Sequence, residues 1–398
     1  MFLAISLALV AALYGYSGWR LLGPARLPLP WTLAAWALVA VLAALPHTHL
    51  IYLRSAAVPA WLRHGTAWLA FLSLGLAVIT FTVVLVRDVA WLGWLGADLA
   101  LRLTRPAAAD GKGAATLLAS PERRQFLLNA SGAGALALST LLCGYGLVRA
   151  RQRPGVARVT VPIRDLPPAF EGFRIAQISD LHVGSTIRRA FVETVVDVVH
   201  GLDADIVAFT GDLADGTVAE LAEHVEPLRH LRSRSGCYFA TGNHEYYSEL
   251  EPWLAKARDL GFDTLLNEHR VLERNGQHLV IGAITDASGG GFRPDHAPDP
   301  VGAMAGAPPG PRVMLAHQPV SAPSVARAGA HLVLSGHTHG GQFVPWKYVV
   351  PLQQPWLQGL HRVDDSCWVY VNGGTGYWGP PLRLGAPSEV TCIELTRA

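Results

Sequence analysis

Four uncharged runs, each about 20 residues long, lie within the first 150 residues and constrain the fold more than any other feature of the chain. An α-helix of about 20 apolar residues spans the roughly 30 Å hydrocarbon core of a bilayer. Helices buried in soluble proteins seldom run so far without a charge. We therefore predict four transmembrane helices. The runs are Met1–Trp19, Leu27–Pro46, Gly65–Val86 and Gln125–Val148.

Charge and histidine content divide the 398 residues into two parts. Only 16% of the chain is charged, against about 25% for an ordinary soluble domain, and the shortage lies in residues 1–150. Of the 16 histidines, 13 lie beyond residue 150. We predict a membrane region at 1–150 and a soluble domain at 151–398. A net charge of +2 without a basic stripe predicts no nucleic-acid binding.

Beyond residue 150, short β-type runs are separated by amphipathic segments and then follow one another directly. This order favours a layered α/β architecture, αββα, with mixed sheets. We predict helices at Arg188–Leu202, Thr217–Leu231 and Leu250–Leu260 and a long surface loop at Ala287–Pro311. The predicted strands are Val159–Ile163, Phe173–Ile178, Asp205–Thr210, Cys237–Thr241, Arg270–Leu272, His278–Ala283, Arg312–Ala316, His331–Leu334, Cys367–Val371 and Val390–Leu395.

Five polar clusters each follow an apolar β-type run. In layered α/β folds, side chains at the carboxyl ends of strands line the ligand site. We therefore expect these residues to lie close together. The candidate metal ligands in the clusters are Asp180, His182, Asp212, Asn243, His317, His337 and His339.

These seven side chains offer two carboxylates, four imidazoles and one amide, without a thiolate. Mixed nitrogen and oxygen ligands suit Mn, Fe, Zn or Ni. Seven ligands are too many for one such ion and fit two, with Asp212 as the natural bridge. Two ions about 3.5–4 Å apart lower the pKa of a shared water to about 7, and the resulting hydroxide can attack phosphorus. His244, beside Asn243, could donate to a phosphoryl oxygen or protonate the leaving group.

The clusters resemble the five sequence blocks of the calcineurin-like metallophosphoesterases, D-x-H, G-D-x-x-D, G-N-H-[DE], H and G-H-x-H, which occur here in that order. A membrane-attached branch is most similar: its last block reads G-H-T-H-G-G-Q, as at 336–342, and its tail reads G-x-G-x-x-G-x-P-x-R, as at 374–383. That branch includes twin-arginine-exported phosphodiesterases and pyrophosphatases that act on UDP-2,3-diacylglucosamine in lipid A biosynthesis.

The resemblance implies a residue-by-residue assignment. Asp180, His182 and His339 would hold one divalent ion together with Asp212. The second ion would be held by Asn243, His317 and His337, again with Asp212. His244 would contact the phosphate, so that His244 and Asp212 are the catalytic pair. One departure is Asn372, where the branch usually has arginine before Gly373.

The implied activity is a membrane-anchored, two-metal phosphoesterase that cleaves a phosphodiester or pyrophosphate bond of a lipid-linked or nucleotide-lipid substrate. A two-metal hydrolase of amides or other esters fits the order of the blocks less well. The alternative that we keep is an inert or regulatory metal-binding module on a membrane scaffold. A transporter is disfavoured because Asp88 and Asp98 lie beyond the edge of the third predicted span.

Orientation in the membrane is not decided by charge. The pair Arg123–Arg124 before the fourth run resembles a twin-arginine signal or a cytoplasmic anchor, and both place residues 151–398 on the outer face of the membrane. Four arginines after that run argue the opposite way. They are Arg149, Arg151, Arg153 and Arg158.

Several residues keep two interpretations. Asp215 is expected to orient its loop rather than bind metal, and Glu245 to act as a supporting partner or helix N-terminal charge. Cys237 and Cys392 fit a core, although Cys367 could pair with either of them. The segment 343–356 either packs over the core or forms an apolar wall beside the metals.

Overall fold

The computed structural model describes residues 2–53, 57–104 and 120–398. The chain divides into two compact units, Met1–Tyr145 and Gly146–Ala398, and each is described by itself.

The first unit is built from four long apolar helices, which confirms the predicted set. Each helix is long and apolar enough to cross a membrane. Met1, the first residue of the first predicted span, lies outside the described residues. The helices are α1 (Phe2–Ala25), α2 (Leu29–Thr48), α3 (Ala60–Thr104) and α4 (Pro121–Arg151), with a π-helical turn at His49–Leu53.

Helix α3 is longer than its predicted span. At about 1.5 Å per residue its 45 residues extend over roughly 68 Å, about twice the thickness of a hydrocarbon core. The helix therefore continues past its apolar run and includes Asp88 and Asp98. Asp88 is buried and forms a bidentate ion pair with Arg20 of α1 at 2.6 and 2.7 Å. Tyr16 also donates to Asp88, so the carboxylate is fully paired and links α1 to α3.

The second unit contains two six-stranded mixed sheets, which confirms the predicted layered α/β class. In the first sheet the order is β1-β12-β2-β3-β4-β5, and in the second it is β10-β11-β9-β8-β7-β6. The strands are β1 (Gly155–Ile163), β2 (Phe173–Ile178), β3 (Ile206–Phe209), β4 (Cys237–Phe239), β5 (Asp263–Thr264), β6 (Glu268–Arg274), β7 (Gln277–Ala283), β8 (Arg312–Leu315), β9 (Leu332–Ser335), β10 (Gly359–Arg362), β11 (Trp368–Val371) and β12 (Glu389–Arg397).

The helices of this unit include the three that were predicted. Two are slightly shorter than expected, whereas the predicted Thr217–Leu231 is an α-helix only over Val218–Val225 and continues as a 3-10 helix at Glu226–His230. The predicted loop Ala287–Pro311 was wrong in part, because it contains two short helices in which Gly289 and Ala303 are buried. The helices are α5 (Arg189–His200), α6 (Val218–Val225), α7 (Asn243–Tyr247), α8 (Leu250–Asp259), α9 (Gly289–Phe292), α10 (Pro300–Ala303), α11 (Ala322–Arg327) and α12 (Trp346–Val349).

Three apolar cores hold the layers together. The two sheets face each other across a core that includes Ile175 of β2 and Leu315 of β8. The outer face of the first sheet packs against α5, α6 and α8 around residues such as Phe209. A smaller core beyond the second sheet includes Val325 of α11. Alternate residues of each strand therefore face opposite cores, as expected for a sheet buried on both sides.

This arrangement brings the carboxyl ends of parallel strands from both sheets to one rim. In the first sheet β2, β3 and β4 are parallel, and in the second β8 and β9 are parallel. Buried Gln177 ties the rim together, because its amide nitrogen donates to Thr210 Oγ1 at 3.1 Å and to the Ser335 carbonyl at 2.9 Å. The five polar clusters follow these strand ends.

We expect the Asp205→Asn substitution to destabilise the second unit. The Asp205 carboxylate is buried before β3 and accepts from the Arg174 backbone N–H at 2.8 Å and from Arg274 at 2.7 Å. Loss of its charge should cost about 1.5–3 kcal/mol and lower the Tm by several degrees in thermal unfolding of the full chain. Asp203→Asn is the control, because Asp203 pairs with Arg234 at an exposed position. An equal loss in both variants would contradict this role.

The buried Asp205 carboxylate should also make the stability of the second unit depend on pH. Burial opposes ionisation of Asp205, but its hydrogen bonds to Arg174 and Arg274 lower its pKa overall. A carboxylate with a lowered folded-state pKa stabilises the fold above its unfolded pKa of about 3.9, and that stabilisation is lost as the pH falls through the folded-state pKa. The Tm difference between wild type and Asp205→Asn should be full at pH 7 and shrink below about pH 4. A difference that grows on acidification would contradict the assignment.

Candidate metal centre

All seven predicted ligands lie at the rim formed by the strand ends. Three overlapping groups of metal-binding side chains have ligand atoms within 4.8 Å of one another. One group is Asp180, His182 and His339, and another is Asp212, His317 and His337. Every imidazole and carboxylate predicted as a ligand is therefore part of one continuous cluster. The third group adds His244, beside His182 and Asp212.

The first group has the spacing that a single ion requires. The Nε2 atoms of His182 and His339 are 3.1 Å apart, and His339 Nε2 lies 3.4 Å from Asp180 Oδ1. Ligand atoms that bind one ion at about 2.0–2.2 Å lie roughly 3–3.5 Å from each other. Asp180 and His182 are almost fully buried. The group thus presents nitrogen and oxygen ligands around a common point.

The second group brings hydrogen-bond acceptors face to face. His317 Nδ1 lies 2.7 Å from the Thr210 carbonyl, which requires the proton on Nδ1 and leaves a lone pair on Nε2 when the ring is neutral. That Nε2 lies 3.1 Å from Asp212 Oδ2 and 3.2 Å from Asn243 Oδ1. His337 Nδ1 is buried without a hydrogen-bond partner among the described residues. A cation satisfies such a set of acceptors, so these residues fit a metal ion.

Asp212 lies between the two groups. Its Oδ2 is 3.1 Å from His317 Nε2 and 3.6 Å from His182 Nε2. Its other oxygen accepts the His244 backbone N–H at 2.9 Å, which fixes the orientation of the carboxylate. A single carboxylate that reaches both groups is suited to a bridging position.

The backbone at the ligands is held in an unusual conformation. Five of the seven ligands have positive φ angles between 49° and 67°, in the left-handed region that non-glycine residues rarely adopt. Strain of this kind clusters at functional sites, where the surrounding structure maintains it. The turns place each side chain inward from a strand end. The five are Asp180, His182, Asp212, His337 and His339.

Two glycines allow the strand ends to approach the carboxylates. A Cβ atom at Gly242 would overlap the Asp212 side chain, and a Cβ atom at Gly336 would overlap Asp180. Gly336 is followed by His337, whose backbone N–H donates to both oxygens of Asp180 at 3.0 and 2.9 Å. Any larger residue at these two positions would displace a ligand.

Glu245 holds the backbone of the turn at Asp212 in place. Its carboxylate accepts the backbone N–H groups of Asp212 at 3.1 Å, Leu213 at 2.7 Å and Gly242 at 2.6 Å. Burial and the nearby Asp212 charge raise the pKa of Glu245 to about 7. Its side chain contacts backbone rather than the cluster, which agrees with the supporting role expected from the sequence.

Asp215 orients two imidazoles, a more specific role than the sequence indicated. Its Oδ1 lies 3.1 Å from His182 Nδ1 and 2.6 Å from His244 Nδ1. Such carboxylate–imidazole contacts fix the ring orientation and direct the opposite nitrogen, Nε2, away from the carboxylate. The spacing Asp212-x-x-Asp215 was the available signal, but only the fold shows which rings Asp215 reaches.

The electrostatics couple the carboxylates to the imidazoles. Burial opposes ionisation of Asp212, yet His317 and His244 hold its pKa well below the usual range. Burial also opposes the charge on His317, whose pKa is nevertheless raised well above normal by Asp212. In His339, burial and the neighbouring His182 lower the pKa, which keeps the ring neutral. A divalent cation can take the place of the proton that Asp212 and His317 share.

Arg383, the last residue of the tail motif at 374–383, was not among the predicted site residues. It is fully buried, and its guanidinium donates to the carbonyls of His339 at 3.0 Å, Gly373 at 2.7 Å and Gly374 at 3.0 Å. Its Nη2 also lies 3.3 Å from His339 Nδ1. Arg383 therefore fixes the backbone of one predicted ligand and lies beside its ring.

Asn372, the departure noted in the sequence, has a structural role in this chain. It is buried, donates to Thr391 Oγ1 at 2.9 Å and accepts the Gly374 N–H at 2.8 Å. Asn372 shapes the turn at Gly373 and Gly374, whose carbonyls accept hydrogen bonds from Arg383. Asn372 makes no hydrogen bond to the seven ligands.

The remaining sequence interpretations have these outcomes. All four cysteines are free, so the pairing considered for Cys367 is not formed. Within 343–356, Phe343 is buried and Trp356 packs against the outer core of the second sheet, whereas Trp346 is 43% exposed. The segment therefore covers the core at both ends and exposes its middle.

Comparison with known proteins agrees with this geometry. The family model for calcineurin-like phosphoesterases matches residues 173–341. A Helicobacter pylori protein described as an uncharacterized metallophosphoesterase is 34% identical over 69% of this chain and 73% of its own length. A zebrafish (Danio rerio) transmembrane protein with metallophosphoesterase domain is 39% identical over 66% of this chain. The match spans only 62% of the zebrafish protein.

Among solved structures, a 5'-nucleotidase precursor from Thermus thermophilus aligns with a TM-score of 0.36 and 18% identity. The alignment covers 56% of this chain and 54% of that one. This likeness is too weak to inform activity. The sequence relatives are sufficient for the family: the chain belongs to the calcineurin-like metallophosphoesterases.

We expect Arg383→Lys to weaken metal binding at the Asp180–His182–His339 group. Lysine keeps the charge but cannot make the fork of hydrogen bonds that fixes His339. Loss of such a supporting contact typically lowers metal affinity by about 10–100-fold. Chelator competition on the purified full chain measures the change, with Arg362→Lys, an exposed arginine, as control. Unaltered affinity in a folded Arg383→Lys variant would contradict this positioning role.

Proposed function

We propose that this chain is a membrane-anchored, two-metal phosphoesterase that hydrolyses a phosphodiester or pyrophosphate bond of a lipid-linked or nucleotide-lipid substrate. The observation that carries the proposal is the shared position of Asp212. Its carboxylate faces His317 on one side and His182 on the other, and each side is completed by further nitrogen and oxygen ligands.

The ligand assignment follows the two groups. Asp180, His182 and His339 with Asp212 would hold one ion, and Asn243, His317 and His337 with Asp212 the other. Mn, Fe, Zn and Ni all suit this donor set. When bound, such ions supply the Lewis acidity that activates water near neutral pH and stabilises charge on a phosphoryl group. The protein's own contribution is a rigid, buried frame that keeps the acceptors in place.

His244 is the residue placed to act on the substrate. Its Nδ1 lies 2.6 Å from Asp215 Oδ1, which leaves Nε2 for another partner. Burial opposes its charge, but Asp212 and Asp215 raise the pKa of His244 to about 10. A protonated ring can donate to a phosphoryl oxygen or protonate the leaving oxygen.

An aromatic rim beside His244 supports a substrate with an apolar or planar group next to the phosphate. The ring centroids of Tyr247 and Trp378 lie 5.2 and 5.7 Å from that of His244, and Phe292 lies 5.6 Å from Tyr247. All three rim residues are more than half exposed. A phosphomonoester of a small alcohol has no group that such a rim would contact, whereas a diester or lipid pyrophosphate has one.

The location of the domain belongs to the same proposal. Arg123 and Arg124 lie exposed in the first turns of α4. If they mark the cytoplasmic end of that helix, the metallophosphoesterase domain lies on the outer face of the membrane. A reporter fused after Ala398 that is active only in the cytoplasm would contradict this orientation.

We expect Asp212→Asn to abolish hydrolysis of every phosphoester. The amide lacks the negative charge that Asp212 presents to both groups of ligands, so bound metal should fall as well. The full chain is stripped, reloaded with Mn, Fe, Zn or Ni, and assayed on phosphomonoesters, phosphodiesters and UDP-sugar lipids, with metal content by elemental analysis. Asp197→Asn, an exposed change on α5, is the control. Metal binding by wild type without turnover on any substrate would favour the inert module instead.

His244→Gln should separate catalysis from metal binding. Because His244 is assigned to substrate rather than to a metal, the variant should keep its metal content while kcat falls by about 10²–10⁴-fold. The loss should be smaller for substrates with good leaving groups, which need no protonation. If Gln at position 244 instead removes a metal ion, the residue is a ligand and the assignment is wrong.

The Trp378→Ser substitution should affect long-chain and short-chain phosphodiesters differently. Removal of the indole should lower kcat/KM for a long-chain phosphodiester by about tenfold and leave a dimethyl phosphate-type diester nearly unchanged. Tyr348→Ser tests the exposed middle of the 343–356 segment in parallel. A larger loss in Tyr348→Ser would assign the substrate contact to that segment, and equal losses on both substrates would rule out an apolar contact.

A further inference from the structure

A small cavity lies where the fourth apolar helix ends. Its volume is about 340 Å³, and its lining includes Arg149 from the end of α4, Gln152 and Arg153 just beyond it, and Ser388 before β12. All of these residues belong to the second unit. None of them contacts the seven metal ligands.

The cavity lining carries two guanidinium groups and one carboxylate, Glu389, so its formal charge is positive. Among the described residues, neither Arg149 nor Arg153 forms a salt bridge, and Arg149 makes its hydrogen bond to the neutral Gln152 side chain at 2.8 Å. The carboxylate of Glu389 accepts hydrogen bonds from neutral groups outside the lining. Its Oε1 accepts from the Gly373 N–H at 2.9 Å and the Tyr370 hydroxyl at 3.0 Å, and its Oε2 accepts from Gln358 at 2.9 Å.

An unused hydroxyl lies at the same place. Ser388 is 6% exposed, and its Oγ is buried without a hydrogen-bond partner among the described residues. Buried polar groups in folded proteins are normally paired, so an unpaired hydroxyl in a cavity wall indicates a missing partner. Two guanidinium groups and one hydroxyl together are donors suited to the oxygens of a phosphate.

The position of the cavity indicates where the phosphate comes from. Helix α4 is one of the four helices apolar enough to span a membrane, and it ends at Arg151. The ends of a span lie at the level of the lipid headgroups. The arginines after the fourth span conflict with the proposed outer-face orientation under the positive-inside rule. A binding role gives Arg149 and Arg153 a reason to be there.

We propose that this cavity binds the phosphate of an anionic phospholipid headgroup, with Arg149, Arg153 and Ser388 as its ligands. The site is separate from the metal centre and does not depend on the proposed hydrolase function. Occupancy would hold the end of α4 against the strand β12 that follows Ser388.

Native mass spectrometry of the metal-stripped full chain tests the proposal. The probes are dihexanoyl phosphatidylglycerol, dihexanoyl phosphatidylcholine and inorganic phosphate. We expect phosphatidylglycerol to bind at least about tenfold more tightly than phosphatidylcholine. Each arginine near an anionic headgroup contributes roughly fivefold in affinity, so Arg149→Gln/Arg153→Gln should lose about 25-fold. Ser388→Ala should show a smaller loss in the same direction.

A matched double variant controls for general electrostatic attraction. Arg158→Gln/Arg164→Gln removes the same charge from exposed positions outside the cavity and should bind phosphatidylglycerol as wild type does. Equal losses in the two double variants, or equal binding of the two lipids by wild type, would overturn the proposal. Inorganic phosphate that binds as tightly as the lipid, and is lost with Arg149 and Arg153, would retain the phosphate site but assign it to the free anion, contradicting the lipid source.

Discussion

The contact between the buried Asp212 carboxylate and its imidazole neighbours is the interaction on which the metallophosphoesterase domain depends. A buried carboxylate is costly unless charge and hydrogen bonds compensate it. Here His317 and His182 approach one oxygen, and the His244 backbone N–H satisfies the other. Glu245 in turn holds the backbone of the same turn. Protons meet this charge balance only in part, and the acceptors that remain fit divalent cations.

The same cluster joins the two sheets. Asp180, His182, Asp212 and Asn243 follow strands of the first sheet, and His317, His337 and His339 follow strands of the second. Only at one rim do the ends of both sets of strands meet, and Gln177 connects them there through Thr210 and Ser335. The left-handed turns at five ligands follow from this geometry, because each chain must reverse sharply from a strand end toward the shared centre. Site and sandwich therefore stabilise each other.

The sequence predicted those parts of the protein that local pattern determines. Uncharged runs located the four long helices, and β-type runs located ten of the twelve strands within a few residues. The two-residue β5 and the half-exposed β10 were missed because neither has an apolar pattern of its own. Helix α3 exceeds its apolar run and includes Asp88, which is paired with Arg20, a contact between residues 68 positions apart.

Roles that depend on distant contacts could not be predicted in the same way. The ligand types and their order identified the cluster residues, since strand ends bring them to one edge. Packing between segments far apart in the chain brings Asp215 to both His182 and His244. It also lets Arg383 donate to the His339 carbonyl. The ligand assignment to two ions remains a proposal supported by these distances.

One contact that no sequence motif indicates joins the end of α4 to Arg383, the residue that holds the backbone of His339. The Arg383 backbone N–H donates to the Gly146 carbonyl at 3.0 Å, and Ala150 is fully buried in the core of the second unit. The last turn and a half of α4 are therefore a structural part of the metallophosphoesterase domain. A fragment designed to begin at residue 151 would lack both the Gly146 carbonyl and the buried Ala150. Chimeras that exchange the four apolar helices should therefore place their junction before Gly146.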